Sequence, residues 1–319
     1  MISTRISTSA LSAFLAVSTP WTASAQTYSV TNITGAMTLF RTVNAQQTAQ
    51  SAAISQTSRF AATGNVPESP KSIKRLTPPL ATSSRFVATS SATNSVNVPV
   101  QTLRVIAGAA SVSFNGLTHF DQRMASGGNQ YSVEPPNPSI AVGNGYVLEG
   151  VNNAIQIYTI AGNPVLSKVI ASNELFGVSP AINRETGVNG VFPTDMRVFF
   201  DGGKNRWFVL QRAQDYDVAG NTLNSSKMYL AVSKTADPAG TYNIYTMDTT
   251  NANNPGCPCI ADYPQIGADA YGFYISVNEF TTTTQNFVDS AIFSISKSSL
   301  ASSSPTPVMT RVILPFTTG

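Results

Sequence analysis

The chain carries one histidine, His119, so any Ser-His-Asp or Cys-His arrangement would have to pass through it. It stands in Leu117-Thr118-His119-Phe120 with no nucleophile motif beside it, which predicts a structural or surface side chain. Cys257 and Cys259 are the only thiols, and one histidine with a Cys-Pro-Cys pair is poor material for zinc. Neither a Walker loop nor a GxGxxG motif occurs, and the basic residues do not interleave with aromatics in a nucleic-acid pattern. What remains is carboxylate and amide chemistry. Asp195, Asp262 and Glu279 are the candidate catalytic carboxylates of a glycoside-processing hydrolase. Such an enzyme needs two carboxyl groups about 5 Å apart to retain configuration, or about 6.5–9.5 Å apart to invert it. Asn152, Asn153, Arg197, Gln211, Arg212 and Asn278 are the candidate ligand-binding residues around them. With no recognisable nucleophile–base pair, non-catalytic binding of a glycan or protein is the favoured expectation and hydrolysis the alternative.

Cys257 and Cys259 flank Pro258, and a bridge across one residue closes a very small ring. Strained disulfides are easily reduced and can be redox-active; a loop staple is the duller reading. Glu279 follows Phe273, Ile275 and Val277 at alternate positions, which places it at the edge of a buried apolar face. A carboxylate there needs a partner, since burial without one raises its pKa. The alternatives are an arginine such as Arg197 or Arg212, backbone N–H groups of the Cys257 loop, or calcium shared with Asp262 and Asn278. Calcium takes six to eight oxygens, and only three are in view; no other cofactor is expected.

The elements that would position these residues come as a repeat. Ser139-Ile-Ala-Val-Gly143, Tyr146-Val-Leu-Glu-Gly-Val-Asn152, Ala154-Ile-Gln-Ile-Tyr-Thr159 and Pro164-Val-Leu-Ser-Lys-Val169 make the first unit of four short strands. The second begins at Met196-Arg-Val-Phe-Phe200 and ends at Thr241–Met247; the third runs from Pro264-Gln-Ile-Gly-Ala268 to Thr310–Pro315. The runs are rich in β-branched and aromatic residues and bounded by Gly, Asn, Asp or Pro. Trp207-Phe208-Val209-Leu210 is apolar on both faces, as a sheet covered on both sides requires. The expected fold is an all-β propeller of four-stranded blades, three of them visible, with a β-sandwich as the alternative. The unit starts Pro138, Asp195 and Asp262 lie 57 and 67 residues apart, which implies long loops. In such a blade the start of the innermost strand and the end of the next share one rim, and the candidate residues collect there. Three units do not close a ring; the expectation is a fragment of a longer propeller, or degenerate strands supplied by the N-terminal region.

Composition divides the 319 residues in the same way. Only 11% are charged against about 25% in an average domain, which argues against a helical or coiled-coil protein. The net charge of +3 is too small to imply an anionic partner. Met1–Arg5, the apolar Leu11–Val17 and Ala23-Ser24-Ala25 read as a signal peptide over 1–25, predicting a secreted or periplasmic protein. No segment is long enough for a membrane span. Residues 26–110 are Ser/Thr/Ala-rich and carry seven basic residues against Glu68. They read as a largely disordered linker or pro-segment, with a possible helix over 42–62. From 111 to 319, 11 basic and 15 acidic residues mark the propeller domain.

Several segments, in this order, resemble a largely uncharacterised group of secreted bacterial β-propeller proteins. They are Phe114-Asn-Gly-Leu117, Glu134-Pro-Pro136, Gly143-Asn-Gly-Tyr-Val-Leu-Glu149, Arg206-Trp-Phe208, Leu230-Ala-Val-Ser233, Cys257-Pro-Cys259 and Asp262-Tyr-Pro264 through Glu279. The resemblance covers about residues 114–298, implies fold and export, and transfers no catalytic residue. Members often have PPD where this chain has Pro135-Pro136-Asn137. Asp237-Pro-Ala-Gly-Thr-Tyr242 also looks like the Asp-box turns of sialidase-type propellers, a structural device in which Gly240 would take a positive φ.

Overall fold

The computed structural model describes residues 32–55, 112–131, 133–217 and 219–315. The N-terminal part contributes β1 (Asn32–Ala36), β2 (Thr38–Asn44) and helix α1 (Ala45–Ser55); α2 (His119–Met124) follows. The first sheet is a meander of β3 (Pro138–Gly143), β4 (Tyr146–Val151), β5 (Ala154–Thr159) and β6 (Ile170–Ala171), after which comes α3 (Ser172–Phe176). The second runs β7 (Val191–Asp201), β8 (Arg206–Tyr216), β9 (Thr222–Ser233) and β10 (Thr241–Asp248). The third runs β11 (Cys259–Ala268), β12 (Gly272–Thr281), β13 (Phe287–Ser296), helix α4 (Lys297–Ala301) and β14 (Val308–Pro315). All pairings within the sheets are antiparallel. The β3–β4 turn illustrates the local logic: Asn144 and Gly145 both have positive φ, the Asn-Gly conformation that matches hairpin twist.

The sheets pack face to face as propeller blades, with innermost strand β7 between β3 and β11. Strand alternation divides the apolar run of β8 between two cores. Trp207 and Val209 join Leu148, Ile155 and Ile157 against the first sheet. Phe208 and Leu210 join Phe273, Ile275 and Phe293 against the third. Each such side chain contributes about 1.5–3 kcal/mol on burial, so the two-sided sequence pattern is what locks the second blade between its neighbours. Among the described residues the sheets do not close into a ring.

Two expectations are corrected here. The fourth strand of the first unit is not Pro164–Val169 but the short β6: Pro164 makes only an isolated bridge to Tyr158, while Leu166 packs into the core. The stretch read as a largely disordered linker holds two strands and a helix over 32–55, in line with the alternative that the N-terminal region supplies strands. There β2 adds to β10 and β1 adds to β14, making five-stranded sheets of the second and third blades. One extended segment thereby covers two exposed sheet edges, with Met37 buried between them. Backbone pairing carries this segment, and within β2 only Val43 is buried, so its composition shows no hydrophobic strand pattern. The proposed helix begins at Ala45 rather than residue 42. The signal-peptide reading and residues 26–31 and 56–111 lie outside the described residues.

The outward face of the first blade is covered by the chain preceding it. Phe114 packs against Tyr158 with ring centroids 5.1 Å apart, and the Leu117 N–H donates to Glu149 Oε2 at 2.9 Å.

Candidate functional site

The rim residues are placed by a repeated irregularity of the innermost strands. In β7 the register shifts between Thr194 and Arg197; in β11 it shifts between Asp262 and Gln265. Each bulge holds a non-glycine residue at positive φ, Asp195 at 56° and Tyr263 at 49°, and Asn137 just before β3 stands at 43°. Asn137, Asp195 and Tyr263 are therefore counterparts, and Asp262 is the counterpart of Thr194. The repeat read from sequence had aligned Asp195 with Asp262, one residue out of step, because a bulge changes the residue count without changing the apolar pattern. On the first blade Gly150 leaves room for the bulge: a Cβ there would fall 2.2 Å from Met196 Sδ.

The bulges bring Asp195 and Asp262 together around Arg212. Its Nε lies 3.1 Å from Asp195 Oδ2 and 3.0 Å from Asp262 Oδ1, with 12%, 9% and 15% of the three side chains exposed in the order Arg212, Asp195, Asp262. Asn137 Nδ2 donates to the other oxygen of Asp195 at 2.6 Å. Burial pushes the Asp262 carboxyl above its usual range, with Arg212 pulling it down and Asp195 pushing it up. Burial disfavours the Arg212 cation, but Asp262 and Asp195 outweigh it and leave Arg212 above its ordinary value. One guanidinium thus holds carboxylates from two blades. Beside it the Arg197 guanidinium lies 4.6 Å from the ring centre of Tyr263, which is half exposed.

Asn152, Asn153 and Gln211 are fully buried. Asn152 Nδ2 donates to the carbonyls of Val133 and Pro135, its Oδ1 accepts from Thr194 Oγ1, and its carbonyl accepts from Gln211 Nε2. Asn153 Nδ2 donates to Gln130 Oε1 and the Tyr131 carbonyl. These amides hold the loop that carries Asn137. A groove of about 490 Å³ lined by Arg41, Val43, Asn44, Gln47, Thr48 and Glu174 lies at the outer edge of the second sheet, away from Arg212.

Glu279 is fully buried, on the same face as Val277, and does not reach Arg212. Directly opposite it in register on β13 is Asp289, with which it shares a hydrogen bond. Asn251 Nδ2 donates to both Glu279 oxygens, at 3.0 and 3.3 Å. Burial pushes the Glu279 carboxyl up to about 8, reinforced by Asp289 and opposed by Arg311 and Asn251. Burial also lowers Arg311, whose Nε and Nη2 have no hydrogen-bond partner among the described residues. The partner of Glu279 is thus a carboxyl and an amide rather than Arg197 or Arg212. The three oxygens considered for calcium do not converge: Asp262 meets Arg212, Asn278 accepts from Ser290 Oγ, and Glu279 points to the opposite face from Asn278.

Asp289 and Arg311 were missed from sequence, although the signal that singled out Glu279 is present in both. Each sits in an apolar face, with Ala291 and Phe293 or with Met309 and Ile313. Lys297, also missed, is buried at the opposite rim, where Nζ pairs with Asp201 and donates to the Asp269 carbonyl. His119 is exposed and 3.7 Å from Glu134. In the Asp237 turn Oδ1 accepts from Ala239 N–H and the Tyr242 hydroxyl donates to the Pro238 carbonyl, but Gly240 does not take the expected positive φ. Cys257 and Cys259 are bonded to each other.

No protein-family model and no curated protein sequence matches the chain. Among solved structures it is similar to an exo-β-1,3-galactanase from Phanerochaete chrysosporium, at 8% identity and TM-score 0.29 over 52% of this chain and 44% of that one. It is likewise similar to an exo-β-1,3-galactanase from Clostridium thermocellum, at 9% identity and TM-score 0.30 over 52% and 42%. The chain spans less than half the length of these proteins.

Proposed function

We propose that the chain is an exported, non-catalytic propeller protein that binds a glycan or protein ligand at the Arg197–Tyr263 rim. The observation that carries this reading is the half-exposed Tyr263 ring, on a bulge that the Asp195–Arg212–Asp262 cluster anchors and stacked on the partly buried Arg197 guanidinium. Tyrosine and arginine provide a large contact area with little conformational freedom to lose, which suits them to recognition. The carboxylates beside them share one guanidinium, so they hold the bulges in place and are not free as a general acid and base. Screening the full chain against polysaccharides and envelope proteins should find a ligand whose affinity falls at least about tenfold in Tyr263→Ala, with Tm unchanged.

The alternative is a glycoside hydrolase using Asp195 and Asp262, and the raised Asp262 carboxyl is the observation that favours it. Turnover of a chromogenic glycoside that disappears in Asp262→Asn would replace the binding reading with this one.

A further inference from the structure

The disulfide loop is not used by the proposed binding rim. A bridge between Cys257 and Cys259 spans one residue, and closing so short a loop removes little freedom from the unfolded chain. Its contribution to global stability is therefore small. The two sulfurs are set differently. Cys259 is fully buried at the start of β11, whereas Cys257 is half-buried on the loop before it. Asn254 Nδ2 lies 3.8 Å from Cys257 Sγ and donates to Asp289 Oδ2 at 2.8 Å, and Asp289 faces Glu279. The less buried cysteine thus has an N–H donor beside its sulfur, and a carboxyl pair stands behind that donor.

We propose that Cys257–Cys259 is a thiol–disulfide exchange site, with Cys257 as the exchanging sulfur and Cys259 as the resolving one. A small external thiolate of the glutathione type attacks Cys257 Sγ; the Cys257–Cys259 bond breaks and its electron pair leaves on Cys259, which takes up a proton. A second external thiolate attacks the external sulfur of the mixed disulfide and releases Cys257 as thiolate. Two external thiols are oxidised to a disulfide while the cysteine pair gains two electrons and, once Cys257 is protonated, two protons. In reverse, the Cys257 thiolate opens an external disulfide and Cys259 resolves the product. The Asn254 amide stabilises the Cys257 thiolate, as a neighbouring donor does for reactive cysteines. Burial keeps Glu279 protonated at neutral pH, which places an acid behind that amide.

Equilibrating the full chain in glutathione buffers of graded ratio, then alkylating it and weighing the loop peptide, tests this without any variant. The cysteines should pass from bonded to reduced within the accessible ratios while circular dichroism and Tm stay close to those of the oxidised protein. Asn254→Ala should slow exchange about tenfold at neutral pH, with the rate recovering as pH rises and the thiolate forms unaided. A bridge that stays closed in the most reducing buffer, or whose reduction unfolds the chain, would overturn the proposal. So would a folded Asn254→Ala protein exchanging at the wild-type rate.

Discussion

Two clusters near the contact between the second and third blades contain the same groups, two carboxyls and one arginine, and resolve their burial differently. In the Asp195–Arg212–Asp262 cluster the carboxylates come from different blades, and Arg212 Nε donates to Asp195 while ion-paired with Asp262. In the Glu279–Asp289–Arg311 cluster all three side chains belong to the third sheet, and the carboxyls face each other across neighbouring strands. Two carboxylates so placed cannot both ionise without a strong counter-charge. Arg311 leaves two of its nitrogens unbonded there, and Glu279 is pushed up to about 8. An ion cluster that crosses two blades fixes them in register at the rim. A cluster within one sheet, whose register the strands already fix, holds a proton instead.

The largest effect should separate the two arginines. Arg212→Met leaves Asp195 and Asp262 mostly buried and unpaired, a situation that costs about 3–5 kcal/mol. Arg311→Met should cost about 1 kcal/mol, because the neighbouring carboxyls already share a hydrogen bond and a proton. Urea denaturation at neutral pH measures both. Equal losses would erase the distinction between the clusters.

The second effect is on pH dependence. Glu279 titrates near its ordinary 4.5 when unfolded and about 8 when folded, so between these values the folded chain binds the extra proton. Its contribution to stability is complete below about pH 4.5 and is lost as pH rises through about 8. Asp262, Glu149 and Glu174 are also raised by burial and act in the same direction. Urea midpoints should therefore fall from mildly acid to mildly alkaline pH, and Glu279→Gln should make that decline visibly shallower. A Glu279→Gln profile parallel to the wild type would mean that Glu279 holds no proton in the folded chain.

Much of the contrast was legible in advance, and the part that was not has a physical cause. Alternation along Phe273, Ile275, Val277 and Glu279 pointed to a buried acid in need of a partner, and the same rule applied to β13 and β14 would have found Asp289 and Arg311. The three meanders and the two-sided β8 strand were readable because large β-branched and aromatic residues specify them. The bulges were not readable, since they depend on φ values that Asp195 and Tyr263 adopt against their ordinary preference. Strands from the N-terminal region were one of the two expectations for an unclosed set of blades, but β1 and β2 could not be placed, because an edge-covering segment is held by its backbone. Asn137 stands where the resembling proteins often carry an acid. Its role became clear only once the bulge had turned Asp195 toward it.

The smallest expected effect tests the contrast through two amides. Asn137 donates to Asp195 at 2.6 Å and Asn251 donates to Glu279 at 3.0 and 3.3 Å. Both donors have positive φ, 43° and 56°, so glycine can replace either without backbone strain and the comparison isolates the hydrogen bond. A bond to an ionised acceptor contributes about 1.5–3 kcal/mol and one to a neutral acceptor about 0.5–1.5 kcal/mol. Asn137→Gly should therefore be the more destabilising change at neutral pH, where Asp195 is ion-paired with Arg212 and Glu279 holds its proton. Above about pH 8 Glu279 ionises and becomes the stronger acceptor, so the Asn251→Gly loss should grow toward that of Asn137→Gly. Urea titrations of the two variants at neutral and alkaline pH measure this directly. A gap between them that stays constant across that range would show that the two clusters do not differ in charge state.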